Sequence, residues 1–259
     1  MARETKKPAP VSRFRWKLLL GIVVLAAVCV SSAMAAYKVR QFVSTDPQFY
    51  LSRERKDAIT IEGLRNASRW KVQRVFAGDY DRSIYLVPLA ERQRRLEAID
   101  WIESATVSRV WPDRIVVRVR ERRPVAFVNL KRGVMLIDAH GKLLEPPAQS
   151  ERQFAFPVLS GISEQDSDAQ CYEHVAIFLR VQSDLGYLMK EVSEVDTSDP
   201  ENVRLVVQAN DRAAILLVGE GNYAARYQNF VKHYPEIFKR SPKARMFDLR
   251  LDDRITVKD

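Results

Sequence analysis

Nineteen consecutive residues, Leu18 to Ala36, carry no charge, and Gly21 is the only strong helix breaker among them. This run constrains the chain more than any other feature. As a helix rising 1.5 Å per residue it spans about 28 Å, close to the hydrocarbon thickness of a bilayer. Trp16 and Tyr37 flank it, where interfacial aromatic residues belong. Arg3, Lys6, Lys7, Arg13, Arg15 and Lys17 precede it, opposed only by Glu4. Such a basic flank predicts a cytoplasmic N-terminus and an exported remainder. A cleavable signal peptide is the alternative. Leu18–Val30 has the length of its apolar core, and Ala33-Met34-Ala35 resembles a cleavage site. The apolar run continues through that site to Tyr37, which favours a retained anchor. Both readings export the same body.

The basic tail supplies more than half of the formal net charge of +9. The clearest basic cluster therefore abuts the apolar run, which makes it a topology signal rather than a nucleic-acid footprint. Cys29 lies in the run and Cys171 far from it, so neither a disulfide framework nor a metal-ligand spacing exists. Cys171 reads as a partly buried small apolar residue.

Beyond the anchor, residues 37–57 read as a juxtamembrane linker with the charge run Arg53-Glu54-Arg55-Lys56. A compact unit over 58–124 follows. Ala58–Ile61 alternates like a strand and stops at Gly63. Ser68 opens a helix with Trp70, Val72, Val75 and Phe76 on one side, ending near Gly78. Ile84–Val87 is an apolar stretch. A second helix starts after Pro88, with Leu89, Arg92, Leu96 and Ile99 at helical spacing. Ala105–Trp111 and Ile115–Val119 alternate around the turn Pro112-Asp113, giving a hairpin with one face buried. The order is β-α-α-β-β. Trp70 and Trp101 read as core anchors, because indoles are mostly well buried.

Residues 125–259 form a mixed β region. Strands are expected at Val125–Leu130, Val134–Asp138, Lys142–Leu144, Asn202–Ala209, Ala213–Val218, Arg245–Leu249 and Ile255–Val257. A helix runs from about Asp168 to Leu185, with Tyr172, Val175, Phe178, Leu179 and Leu185 on one face. Another carries Tyr223, Tyr227, Phe230, Val231 and Tyr234, and Pro235 marks the approach of its end. The fold class is α+β.

The hairpin segment Ala105-Thr106-Val107-Ser108-Arg109-Val110-Trp111-Pro112-Asp113-Arg114-Ile115, followed by Val119–Ala126, resembles the FtsQ/DivIB family of bacterial division proteins. Asp100-Trp101-Ile102, Ile137-Asp138-Ala139-His140-Gly141, Phe156–Gly161, Phe230–Pro235 and Phe247-Asp248-Leu249-Arg250 are similar to further landmarks of that family, in its order. The resemblance implies a membrane helix, a POTRA-type module and a β domain. It also implies a non-catalytic scaffold at the septum of the inner membrane, with FtsB/FtsL-type partners bound through the terminal edge of the β domain. Where the family often has Tyr after Asp-Leu-Arg and a Gly in the next turn, this chain has Leu251 and Asp252-Asp253-Arg254.

An exposed strand edge offers unpaired N–H and C=O groups to an added strand. The expected binding segment comprises Phe247, Asp248, Leu249, Arg250, Leu251, Ile255, Thr256 and Val257. The alternative is that this strand only closes the core, with Leu249 and Val257 buried. A second candidate surface is the basic outer face of the hairpin, Arg109, Arg114, Arg118 and Arg120, joined by Arg122 and Arg123. The alternative is that these arginines are solvated or paired locally, as with Glu121.

No catalytic site and no cofactor are expected. His140, His174 and His233 are isolated, and neither a nucleophile elbow nor a phosphate-cradling loop is present. A POTRA-bearing transport or chaperone-like protein, or a cleaved periplasmic binding protein, is the competing function. The first of these would show serial amphipathic strands of a barrel, which the two C-terminal helices interrupt.

Overall fold

A computed structural model describes residues 13–147, 154–210, 212–251 and 253–258. Arg3, Lys6 and Lys7 of the basic tail and Asp252 of the last turn lie outside the described residues, as do the side chains of Arg13, Arg15 and Lys17. Helix α1 (Arg13–Thr45) contains an apolar span at Leu19–Thr45, none of it buried by the rest of the chain. It is long and apolar enough to cross a membrane. The helix does not stop near Ala36. It continues through Lys38 and Arg40 to Thr45, so the first nine residues of the expected linker are helical.

The elements that follow are β1 (Ile59–Glu62), α2 (Arg69–Arg74), α3 (Leu89–Glu97), β2 (Ile102–Val110) and β3 (Arg114–Glu121). The three strands form one sheet in the order β1-β3-β2. Ile115, Val117 and Val119 alternate inward as expected. Within the apolar stretch Ile84–Val87, Ile84–Leu86 forms a 3-10 turn that buries Ile84 and exposes Tyr85 and Leu86.

Trp70 is not a core anchor: it is 61% exposed, with the Arg74 guanidinium 4.9 Å from its ring centroid. Helix α2 has six residues, and Val72 is its buried one. Two positions before Val72 lies the opposite face. Trp101 is buried as expected, its indole N–H donating to the Glu145 carbonyl at 2.7 Å.

A nine-stranded sheet follows. Its members are β4 (Pro124–Leu130), β5 (Gly133–Asp138), β6 (Leu143–Leu144), β7 (Val158–Ser160), β8 (Val192–Asp196), β9 (Arg204–Ala209), β10 (Arg212–Leu217), β11 (Met246–Asp248) and β12 (Thr256–Lys258), with α4 (Asp168–Leu185) before β8 and α5 (Tyr223–Arg240) before β11. The spatial order is β12-β11-β10-β9-β8-β7-β4-β5-β6, an open sheet with β12 and β6 at its ends. Strands β7 and β8 were not expected; both are short, and they pair in parallel with each other.

Helix α4 begins with a reciprocal cap. Ser167 Oγ accepts from Gln170 N–H, and Gln170 Oε1 accepts from Ser167 N–H. Such a cap contributes about 1 kcal/mol. Its buried face is Cys171, Val175, Phe178, Val181 and Leu185. Tyr172, assigned to that face from sequence, is 52% exposed, because Cys171 supplies the inward position four residues before Val175. Burial raises the Cys171 thiol pKa above its ordinary value. At about 1.5–3 kcal/mol per large apolar side chain, this face outweighs the cap severalfold. Gly141 lies against the start of α4 at φ +80°, where an added Cβ would sit 2.6 Å from the Tyr172 backbone nitrogen.

Helix α5 passes through Pro235 and ends at Arg240. An interior proline costs about 3 kcal/mol. Tyr227, Phe230 and Tyr234 on the near side, and Ile237 beyond the proline, all pack on the core, which offsets that cost.

The described chain comprises two compact units. The first falls within Met1–Ile61, Phe76–Arg92 and Val107–Val117, and the second within Glu62–Val75, Gln93–Thr106 and Arg118–Asp259. In the first, the Arg92 guanidinium donates to Asp79 through Nε at 2.6 Å and Nη2 at 2.9 Å. Both residues are buried, and Asp79 raises the Arg92 pKa through these bonds. Asp79→Ala removes the carboxylate that holds the buried guanidinium through two hydrogen bonds, with the more exposed Glu91 still 3.3 Å from Nη1. The expected loss is about 3–5 kcal/mol, read as a lower urea midpoint at unchanged slope.

Candidate partner-binding edge

The terminal segment contains a buried strand and an exposed one. Strand β11 lies inside the sheet. It runs parallel to β10, with Ile215 opposite Met246, Leu216 opposite Phe247 and Leu217 opposite Asp248. This pairing is available because α5 intervenes between β10 and β11 and returns the chain in the same direction. On its other side β11 pairs antiparallel with β12, with Phe247 opposite Val257. Among the described residues strand β12 has no further neighbour in the sheet, and all three of its residues are exposed.

The expected binding residues therefore separate into two groups. Phe247 and Leu249 are each 2% exposed and belong to the core. Phe247 packs against Phe230 and Tyr234 of α5, with ring centroids 5.1 and 5.8 Å away. Leu251 is 53% exposed, Val257 36%, and Thr256 is also exposed, while Ile255 is half-buried. The alternative in which Leu249 and Val257 are both buried holds for Leu249 alone.

A charged clamp fixes the turn between the two strands. Asp248 Oδ1 accepts from Arg250 Nε at 2.9 Å and Oδ2 from Arg250 Nη2 at 2.7 Å. Arg250 Nη1 also donates to Asn202 Oδ1 at 2.8 Å. Lys258 Nζ stands 3.7 Å from Asp248 Oδ2, tying β12 back to β11. The Arg250 hydrogen bonds, with smaller help from Lys258, hold the Asp248 pKa below the ordinary carboxylate range. Asn202 and Lys258 escaped sequence reasoning. Asn202 is 48 positions from Arg250, and no local pattern joins them. Beside the edge, His233, Glu236, Ile237 and Arg240 of α5 form a groove with Arg254 and Ile255.

The basic outer face of the hairpin is largely neutralised by local partners. Arg109 is spent on backbone: Nε donates to Ile84 O at 2.7 Å and Nη2 to Val87 O at 2.7 Å, which holds the 3-10 turn. Arg114 lies 4.0 Å from Asp57, Arg118 pairs with Glu62 at 2.8 Å, and Arg120 with Glu103 at 3.2 Å. Arg122 pairs with the buried Asp138 at 3.0 Å. Glu121 accepts the backbone N–H groups of Arg65, Asn66 and Ala67 rather than an arginine. Exposed pairs of this kind contribute about 1 kcal/mol or less.

A β-α-α-β-β unit followed by an open mixed sheet defines the class. Residues 56–122 match the family model of the POTRA domain, FtsQ-type, and residues 126–250 that of the cell division protein FtsQ/DivIB, C-terminal. The chain is 35% identical to the cell division protein FtsQ of Koribacter versatilis, covering 96% of this chain and 72% of that protein. It is 25% identical to the FtsQ proteins of Shewanella oneidensis and Syntrophotalea carbinolica, over 95% and 99% of this chain and 88% and 90% of theirs. The chain belongs to the FtsQ/DivIB family of cell division proteins, and a role in the division machinery follows. The C-terminal match stops at Arg250, before Leu251 and β12.

The lowered Asp248 pKa gives the clamp a pH signature. Its stabilisation is fully present above the unfolded carboxylate value, about 4. It is lost as the pH falls from there through the lower folded value. The stability advantage of the wild type over Asp248→Asn is expected to hold at neutral pH and shrink on acidification. Urea unfolding of both proteins across that range measures it.

Proposed function

We propose that this protein is a non-catalytic scaffold of the division machinery, anchored by α1 with its N-terminus in the cytoplasm and its body exported to act at the septum. The body consists of a POTRA-type domain over 58–124 and a β domain over 125–259. The ranges of the two matching families support that division. The β domain binds FtsB/FtsL-type partners by adding a partner strand to β12.

The observation that carries this reading is the placement of β12 at the open end of the sheet, with all its residues exposed, while β11 beneath it is locked into the core. A three-residue strand makes few main-chain bonds, so side chains must supply much of the affinity. Val257, Leu251 and Ile255 provide apolar contacts, and the groove between α5 and the last turn accepts partner side chains. Arg250 acts by holding the turn.

The two groups of terminal residues call for different variants. Deleting residues 256–259 removes the edge and leaves Phe247 and Leu249 in place. With the full-length protein in detergent and the exported segment of an FtsB-type partner, that deletion is expected to abolish capture. Leu251→Glu with Val257→Glu is expected to weaken it about tenfold or more. Phe247→Ala instead destabilises the domain by about 3–5 kcal/mol. Undiminished capture by a folded 256–259 deletion sinks the edge-strand reading.

A further inference from the structure

In the first compact unit, among the described residues outside α1, the exposed large apolar side chains are Tyr85, Leu86 and Trp111. Scattered exposed apolar residues are ordinary on a protein surface and carry no message. These three are not scattered. Each belongs to a segment tied to the last turns of α1.

Ser83 Oγ donates to the Val43 carbonyl at 2.7 Å, which sets the 3-10 turn bearing Tyr85 and Leu86 against the end of the helix. Trp111, at the tip of the β2–β3 hairpin, meets Phe49 edge-on at 5.2 Å, and Phe49 meets Phe42 of α1 edge-on at 5.6 Å. Trp111 and Phe42 stay 50% and 52% exposed despite these contacts.

Height along the helix then matters. The uncharged run ends at Tyr37, and Lys38 and Arg40 follow. At 1.5 Å per residue, Phe42 and Val43 lie about 7–9 Å beyond that boundary, roughly at the outer margin of a headgroup layer about 5–8 Å deep. Indole and phenol side chains favour this layer.

The charges around the hairpin tip fit the same place. Arg55 pairs with Asp113 and, at 3.2 Å, with Asp57, and Arg114 lies 4.0 Å from Asp57. Two cations and two carboxylates are thus mutually neutralised, which lowers the cost of approaching lipid. The Arg55 hydrogen bond lowers the Asp57 pKa, which favours the ionised carboxylate beside Arg55.

We propose that Trp111, with Tyr85 and Leu86, forms an aromatic and apolar collar that docks into the lipid headgroup layer where α1 leaves the membrane. The occupant is the bilayer surface, argued from continuity with the apolar surface of α1. This inference rests on the proposed insertion of α1, and the test separates the two.

The full-length protein is reconstituted into phosphatidylcholine vesicles with and without lipids brominated near the headgroup end of the acyl chain. Quenching of the wild type is compared with that of Trp111→Phe and Trp16→Phe, each difference isolating one indole. Phenylalanine keeps an aromatic ring against Phe49, and circular dichroism checks the fold. The expected result is loss of both the Trp16 and the Trp111 emission in brominated vesicles. Quenched Trp16 with unquenched Trp111 overturns the collar and leaves the membrane anchor standing. If neither is quenched, the insertion of α1 fails and the collar fails with it.

Discussion

Parallel pairing between β10 and β11 places Phe247 beneath the aromatic face of α5, and the terminal part of the β domain depends on that packing. With Phe247 buried, β11 is an interior strand, and β12 becomes the outermost one. The Asp248–Arg250 clamp and its bond to Asn202 then hold the turn in one conformation. Remove the aromatic wedge and there is no defined edge to present. A strand edge is useful for recognition only when the sheet behind it is rigid, because main-chain pairing tolerates little displacement. Core and proposed recognition surface are here built from alternate parts of one short segment.

Helices with a clean period were legible from the sequence. The bounds of α4 follow from its cap and its apolar spacing, although its inward face is turned by one residue, from Tyr172 to Cys171. Where a local rule met tertiary packing, packing decided. Pro235 interrupts α5 without ending it, since the helix is held by side chains on both sides of the proline. Trp70 shows the converse: a short helix offers only one inward row, and the largest side chain was not on it. Strand β7 was illegible because three residues cannot establish a period of two and its parallel neighbours lie far away in the chain, while in β8 the buried Val192 and Val195 are three apart across a register shift, which breaks the alternation.

The proposed binding edge was half legible. Apolar alternation located strands near Arg245–Leu249 and Ile255–Val257, within a residue or two of β11 and β12. It could not tell which was interior, because that depends on register with β10, about thirty positions earlier. The arginine-rich hairpin read from sequence either as a docking face or as locally paired side chains, and each of Arg109, Arg114, Arg118 and Arg120 has a nearby acid or carbonyl that sequence does not reveal.

Helix α1 runs without interruption to Thr45, and the Ser83–Val43 bond and the Phe42–Phe49 contact then join it to folded structure. A flexible tether of the same length would let its cargo sample a volume, with a local concentration set by chain statistics. A helical post instead sets a stand-off distance. In the proposed orientation, changes in bilayer thickness or helix tilt are passed on to the first unit rather than absorbed by slack, so the lipid environment enters directly into the height at which that unit stands above the membrane.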